Sequence, residues 1–174
     1  MGGGGSGGDG GAAAREAARK ARVDSSVKAI NALFINPDTG EMIDSRKQAL
    51  DDVESKVQQR FLPEFRKDTA NAQRELKFAL SRRGLSRSSA QSDAASRLRD
   101  RVAETERDIS QRALVARSDA ERGQQSLMDN LVAQAQSDTD QGILLNQASS
   151  GQNAAINRAV ASAQAQALPN AFQD

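Results

Sequence analysis

Between Ser88 and about Ala135, small or apolar residues recur at Leu98, Val102, Thr105, Ile109, Ala113, Ala116, Ala120, Gly123, Leu127 and Leu131, nine steps across 33 residues. The mean step of about 3.67 residues is the eleven-residue helical period, whose seam runs nearly parallel to the helix axis. A helix over this whole stretch is on the order of 72 Å long at 1.5 Å per residue. It needs a partner, because helical stability in proteins comes mostly from packing an amphipathic face. A second stripe runs through Leu50, Val53, Val57, Phe61, Phe65, Thr69, Ala72, Leu76 and Ala79 or Leu80, and it stays in phase across Pro63. It predicts a helix over 41–83 with a kink at Gln59 to Pro63, where the proline ring meets the Gln59 carbonyl.

The punctuation between the stripes predicts how they connect. Gly84, after Arg82 and Arg83, suits a left-handed C-terminal cap, and Ser88 with Gln91 has the spacing of a capping box opening a helix over 88–135. Two long helices joined by four to six residues predict an antiparallel, coiled-coil-like hairpin with Phe78 near its turn. Upstream, the spacing of Val23, Val27, Ile30, Leu33 and Phe34 predicts an Ala-rich helix from Ala12 that packs through its C-terminal half. The run Asn36-Pro37-Asp38-Thr39-Gly40 is a turn, and Asp38 with Glu41 is a second capping box. After Ala135 the composition drifts to Gln, Ser, Asn and Asp. Gly142 interrupts, and Ser149 with Gln152 predicts a short, weak helix from Gln152 to Ala167. The expected organisation is a flexible Gly-rich tail over 1–11, an elongated all-α domain over 12–135 and a Gln/Ala/Ser-rich segment over 136–174.

Composition thins the core. Only 37% of the 174 residues are hydrophobic and five are aromatic; Phe61, Phe65 and Phe78 lie close together, so the tightest packing is expected there. In the middle of the long stripe Thr105, Ala113, Ala116, Ala120 and Gly123 stand where a stable coiled coil places Leu or Ile, each forgoing roughly 1.5 to 3 kcal/mol of burial. On that reading the free chain is marginally folded, and Leu at 116, 120 and 123 raises its helicity. The other reading is that small residues let helices approach closely, so that Leu overpacks. Part of each stripe is left uncovered by one hairpin, which predicts self-association.

Charge is balanced in total, at +1, but not along the chain. From Arg60 to Arg101 there are 11 basic residues against five acidic ones; from Gly123 onward Arg158 faces Asp129, Asp138, Asp140 and Asp174. Lys77, Arg82, Arg83 and Arg87 form the densest basic run. It is either a sequence-independent polyanion contact or no more than a helix cap and turn. With Phe78 the single aromatic in reach, base-specific reading is not expected. The chain has no His, Cys, Trp or Tyr, which removes imidazole bases, thiolate nucleophiles and the usual transition-metal ligands. The carboxylate groups Asp51 and Asp52, and Glu104, Glu106 and Asp108, sit among arginines on exposed helix faces. No enzyme, cofactor or metal is therefore expected. Gly2 and Ser6 match an acylation pattern that any polyglycine tract matches by chance, and no run approaches the length of a membrane span.

The glycine tract Gly2 to Gly11, the Ala/Arg helix ending in Ile30-Asn31-Ala32-Leu33-Phe34, the stretch Ala72-Gln73-Arg74-Glu75-Leu76-Lys77-Phe78-Ala79-Leu80-Ser81-Arg82-Arg83-Gly84-Leu85 and the amide-rich end together resemble the small internal virion, or DNA ejection, proteins of short-tailed bacteriophages. The resemblance implies a protein packaged in the virion, released with the genome, and helping to form a conduit through the host envelope or periplasm. Its partners would be further copies of itself, portal, tail or larger ejection proteins, DNA and the host envelope. It brings no catalytic residues. The same helices would serve a fixed piece of a phage tail or portal-proximal core, or a cellular coiled-coil or membrane-surface adaptor.

Overall fold

The computed structural model describes residues 9–85 and 88–166 of the chain. Four helices carry it: α1 (Asp9–Phe34), α2 (Asp44–Arg82), α3 (Ser89–Gln136) and α4 (Gln141–Ala165). Among the described residues there is no strand, only an isolated antiparallel bridge between Ile35 and Met42. The fold is all-α, as the stripes predict. Most of the expected Gly-rich tail, including the acylation pattern at Gly2 and Ser6, lies outside the described residues. Its end does not belong to a tail: α1 begins at Asp9 and takes in Gly10 and Gly11. The chain forms two compact units, one from Met1–Gln48 and Glu121–Ala155, the other from Ala49–Ala120 and Ile156–Asp174.

In the first unit the C-terminal half of α1 packs as its spacing requires. Ile30 and Phe34 are fully buried against Leu131 and Ala135 of α3 and Leu144 and Ala148 of α4. The turn after α1 is tighter than a capping box. Asn36 and Gly40 close it through backbone bonds (Asn36 N to Glu41 O 2.7 Å, Gly40 N to Asn36 O 2.8 Å), and Gly40 takes φ +69°, which glycine alone adopts without strain. The Asn36 side chain accepts from the Asp38 amide, and the Thr39 hydroxyl accepts from the Glu41 amide. Asp38 and Glu41 are consumed by the turn, and α2 starts at Asp44, three residues later than expected.

Arg46, on the first turn of α2, is buried: its Nε donates to Gln124 Oε1 at 2.5 Å, and its guanidinium lies 5.5 Å from the centroid of the Phe34 ring. Burial pushes this guanidinium below its ordinary pKa, and the nearby Glu121 carboxylate opposes the shift. The pairing corrects the seam. Gln124, only 1% exposed, occupies the inward position after Ala120, while Gly123 turns toward α4, where a Cβ on it would come within 3.2 Å of the Ala155 Cβ.

α4 is longer than expected and starts earlier. Asp140 caps it, its Oδ1 accepting from the Gly142 and Ile143 amides at 2.9 and 3.2 Å, so Gly142 lies inside the first turn instead of interrupting the chain. The Ser149 and Gln152 box does not form. Both residues are inside α4, and the Ser149 hydroxyl donates back to the Asn146 carbonyl.

In the second unit α2 and α3 form the expected hairpin. Arg117 pairs with Asp51 at 2.9 Å and Glu54 at 3.5 Å. Glu54 lies 28 residues before Arg82 and Arg117 lies 28 residues after Ser89, so positions equidistant from the turn stand opposite one another. α2 runs unbroken through Pro63. Leu50, Val53, Val57, Phe61 and Phe65 on α2, Thr105, Ile109, Ala113, Ala116 and Ala120 on α3, and Ala159 and Ala163 on α4 are buried. The middle alanines of the seam are buried, which close helix packing requires; the stability of the free chain is the separate matter that Leu substitutions test. Phe78, expected in the tightest packing, is 65% exposed: it lies half a turn away from the half-buried Ala72, Leu76 and Leu80 stripe.

Candidate polyanion interface

The closed end of the hairpin is built by a cap whose geometry follows from one glycine. Gly84 has φ +68°; the Leu85 amide donates to the Leu80 carbonyl at 2.9 Å and the Gly84 amide to the Ser81 carbonyl at 3.1 Å. This is the paired bonding of a Schellman motif, with the half-buried Leu85 set beside Leu80 to close it. The Ser88 hydroxyl donates to the Leu85 carbonyl at 2.9 Å, so it secures the turn and does not act as the N-cap acceptor that a capping box requires.

The cap places the candidate residues. Lys77 is on the last two turns of α2, Arg82 is its final residue, and Arg83 follows in the turn; all three are exposed. Arg87 lies outside the described residues. None of Lys77, Arg82 and Arg83, nor Arg74 one turn earlier, makes a salt bridge with a described residue, in contrast to Arg112 with Asp108 at 3.2 Å and Arg117 with its two carboxylates. Glu75 is the one acidic residue between Thr69 and Leu85. A helix C-terminus carries partial negative charge, which Arg82 and Arg83 complement, but Arg74 and Lys77 stand farther back, and cap chemistry does not account for them.

Of the seam residues, Ile109, Ala113, Ala116 and Ala120 are buried in the second unit and Leu131 in the first, whereas Leu98, Val102 and Leu127 are half-buried. For Leu98 and Val102 the reason is local: from Arg66 to Glu104 no described residue is fully buried. Thr69 sits near the start of that interval with its hydroxyl enclosed and unpartnered.

Elsewhere the described residues of each unit line an open cleft. In the first, about 380 Å³ lies among Arg22, Ser26, Ala135, Asp138 and Asp140, bridged by Arg22 and Asp138 at 3.1 Å. In the second, about 270 Å³ lies among Arg112, Val115, Asp119, Ala159 and Gln166, where Arg112 Nη1 donates to the Gln166 carbonyl at 3.0 Å. In neither cleft is a lining hydroxyl hydrogen-bonded to a carboxylate among the described residues. Among the described residues no three His, Cys, Asp or Glu side chains gather as a metal site, and no helix is long and apolar enough to cross a membrane. Sequence reasoning missed Arg74 as a member of the basic end and missed the Arg46–Gln124 pair; the spacing of Arg74, Phe78 and Arg82 held the first signal, whereas nothing local ties Arg46 to a residue 78 positions away. In comparisons with family models, curated proteins and solved structures, the chain matches none.

Proposed function

We propose that this chain is a bacteriophage internal virion protein that leaves the particle with the genome and helps form the DNA-translocation conduit across the host envelope. The observation that carries the reading is the hairpin end, with its half-covered apolar stripe and exposed arginines and lysine free of salt bridges to described residues. Such an end suits a component that contacts other helices and a polyanion, and its working partners are further copies, portal, tail or larger ejection proteins, and DNA. The resemblance of the Ala72 to Leu85 stretch to ejection proteins supports the same assignment. No catalytic step belongs to it. The test is mass spectrometry of full virions against particles emptied of DNA: an ejected protein disappears with the genome. DNA contact is tested separately. Neutralising two of Lys77, Arg82, Arg83 and Arg87 lowers the log–log salt slope of duplex binding by about two units if both touch phosphate.

A fixed structural piece of the tail or portal-proximal core is the second reading. Close small-residue packing favours it, since Gly123 lies near Ala155 and Ala113 and Ala120 are fully buried. A protein that stays in emptied particles takes this role.

A further inference from the structure

One ridge of the hairpin end is explained neither by packing nor, Arg82 apart, by capping. Phe78 is the most exposed of the large hydrophobic residues in the described chain, at 65%. Arg74 and Arg82 stand one helical turn before and after it on the same face, about 6 Å away along the axis in each direction. Lys67 and Asn71 continue that face, and both are exposed. Ser81 and Glu75 flank Phe78 three positions away, and Glu75 is the one acidic neighbour.

We infer that the Arg74–Phe78–Arg82 ridge is a stacking platform for single-stranded nucleic acid, Phe78 taking the face of one base and the two arginines the phosphates on either side. The inference rests on the polyanion-contact reading above and goes beyond it, because a duplex offers phosphates but keeps its base faces covered. Single strands are bound by this combination of a basic track with an aromatic on which a base stacks. Other occupants fit less well. A lipid surface requires a contiguous apolar face beneath the basic residues, and here the helix neighbours of Phe78 are Arg74, Glu75, Ser81 and Arg82. A second copy of the same ridge would bring like charges together.

The chain has no Trp or Tyr, so Phe78→Trp introduces a single fluorophore at the platform. With the full chain at low salt, three probes separate the outcomes: an oligothymidylate, a mixed-sequence duplex and phosphatidylglycerol vesicles. The expected result is quenching of the Phe78→Trp fluorescence by the oligothymidylate. Phe78→Ala should weaken single-strand binding roughly 5- to 100-fold and leave duplex binding within about twofold. Arg74→Gln with Arg82→Gln should lower the single-strand salt slope by about 1.4. Because Phe78 is exposed, circular dichroism of Phe78→Ala should match the parent. If both nucleic acids bind and Phe78→Ala changes neither, the platform is overturned while the polyanion contact stands. If neither binds, both readings fall. A blue shift with vesicles and no response to the oligothymidylate overturns it in favour of a membrane surface.

Discussion

The two ends of the second unit's hairpin have the same helical period and different burial. Toward the open end, Leu50, Val53, Val57, Phe61 and Phe65 of α2 are at most 5% exposed, and Ile109, Ala113 and Ala120 of α3 at most 1%. Toward the closed end Thr69, Ala72, Leu76 and Leu80 continue the first stripe, and Leu98 and Val102 the second, yet all are only half-buried. A third helix meets the open end: Ala159 and Ala163 of α4 are buried in this unit, α4 ends at Ala165, and the Gln166 carbonyl just past it accepts from Arg112. From Arg66 to Glu104, by contrast, no described residue is fully buried. Periodicity specifies which face of a helix turns inward; it does not specify how many neighbours will meet it.

The largest effect that tests this contrast is deletion of matched core side chains. Phe61→Ala should cost about 3–5 kcal/mol, whereas Leu76→Ala at the closed end should cost about 1 kcal/mol, because a half-buried leucine loses less contact and leaves a void open to solvent. Urea unfolding of the two variants checks the ratio. Equal costs would mean that the closed end is as well covered as the open end.

The sequence shows the hairpin plainly because its signals are redundant: two long stripes of helical period and a glycine cap between them agree. Helix starts were less legible. Asp38 with Glu41, Ser88 with Gln91 and Ser149 with Gln152 all have capping-box spacing, but the first is consumed by a turn, the second has its hydroxyl on Leu85 and the third lies inside α4. The real cap, Asp140, lacks a Glu or Gln three residues on. α4 was underestimated because its buried face is largely alanine, which signals little hydrophobicity although it allows close approach. Phe78 was expected in the core on the strength of being aromatic; its position on the helix decides otherwise. The basic end was readable as a cluster, but its lack of salt bridges to described residues is a three-dimensional fact.

Adding volume should separate the ends next. Ala113 is fully buried, and Ala113→Leu should destabilise by about 1–3 kcal/mol through overpacking. Ala72 is half-buried in the interval where no described residue is fully buried, and Ala72→Leu should be neutral or mildly stabilising, since a half-buried site has room for a larger side chain. Thermal melts of the pair test this; destabilisation of similar size in both would place an unseen close neighbour against Ala72.

The turn contributes a smaller and more local term. A Cβ at Gly84 would meet nothing within 4 Å, yet φ is +68°. Gly84→Ala should therefore cost about 1–2 kcal/mol from backbone conformation alone. In native-state hydrogen exchange the loss should appear in amides of 69–102 and scarcely in those of 50–65, because the closed end opens as a unit of lower stability.

The smallest effect lies at the boundary. Thr69 and Thr105 are both helical threonines on inward faces, but the Thr105 hydroxyl donates to the Arg101 carbonyl at 3.0 Å, whereas the Thr69 hydroxyl is enclosed without a partner. An enclosed, unpaired hydroxyl costs about 1–3 kcal/mol of desolvation when fully buried. Thr69 is only half-buried as a residue, so the recoverable part should fall at or below the lower bound. Thr69→Val keeps the shape and the β-branching, and with them nearly the same helix propensity. It should stabilise the free chain by about 0.5–1 kcal/mol. Thr105→Val, which removes a satisfied hydroxyl and leaves a carbonyl already bonded within the helix, should be near neutral. Urea midpoints measured side by side read the sign. If Thr69→Val instead destabilises, the hydroxyl is paired in solution, and the half-buried interval begins farther toward the turn than the burial pattern indicates.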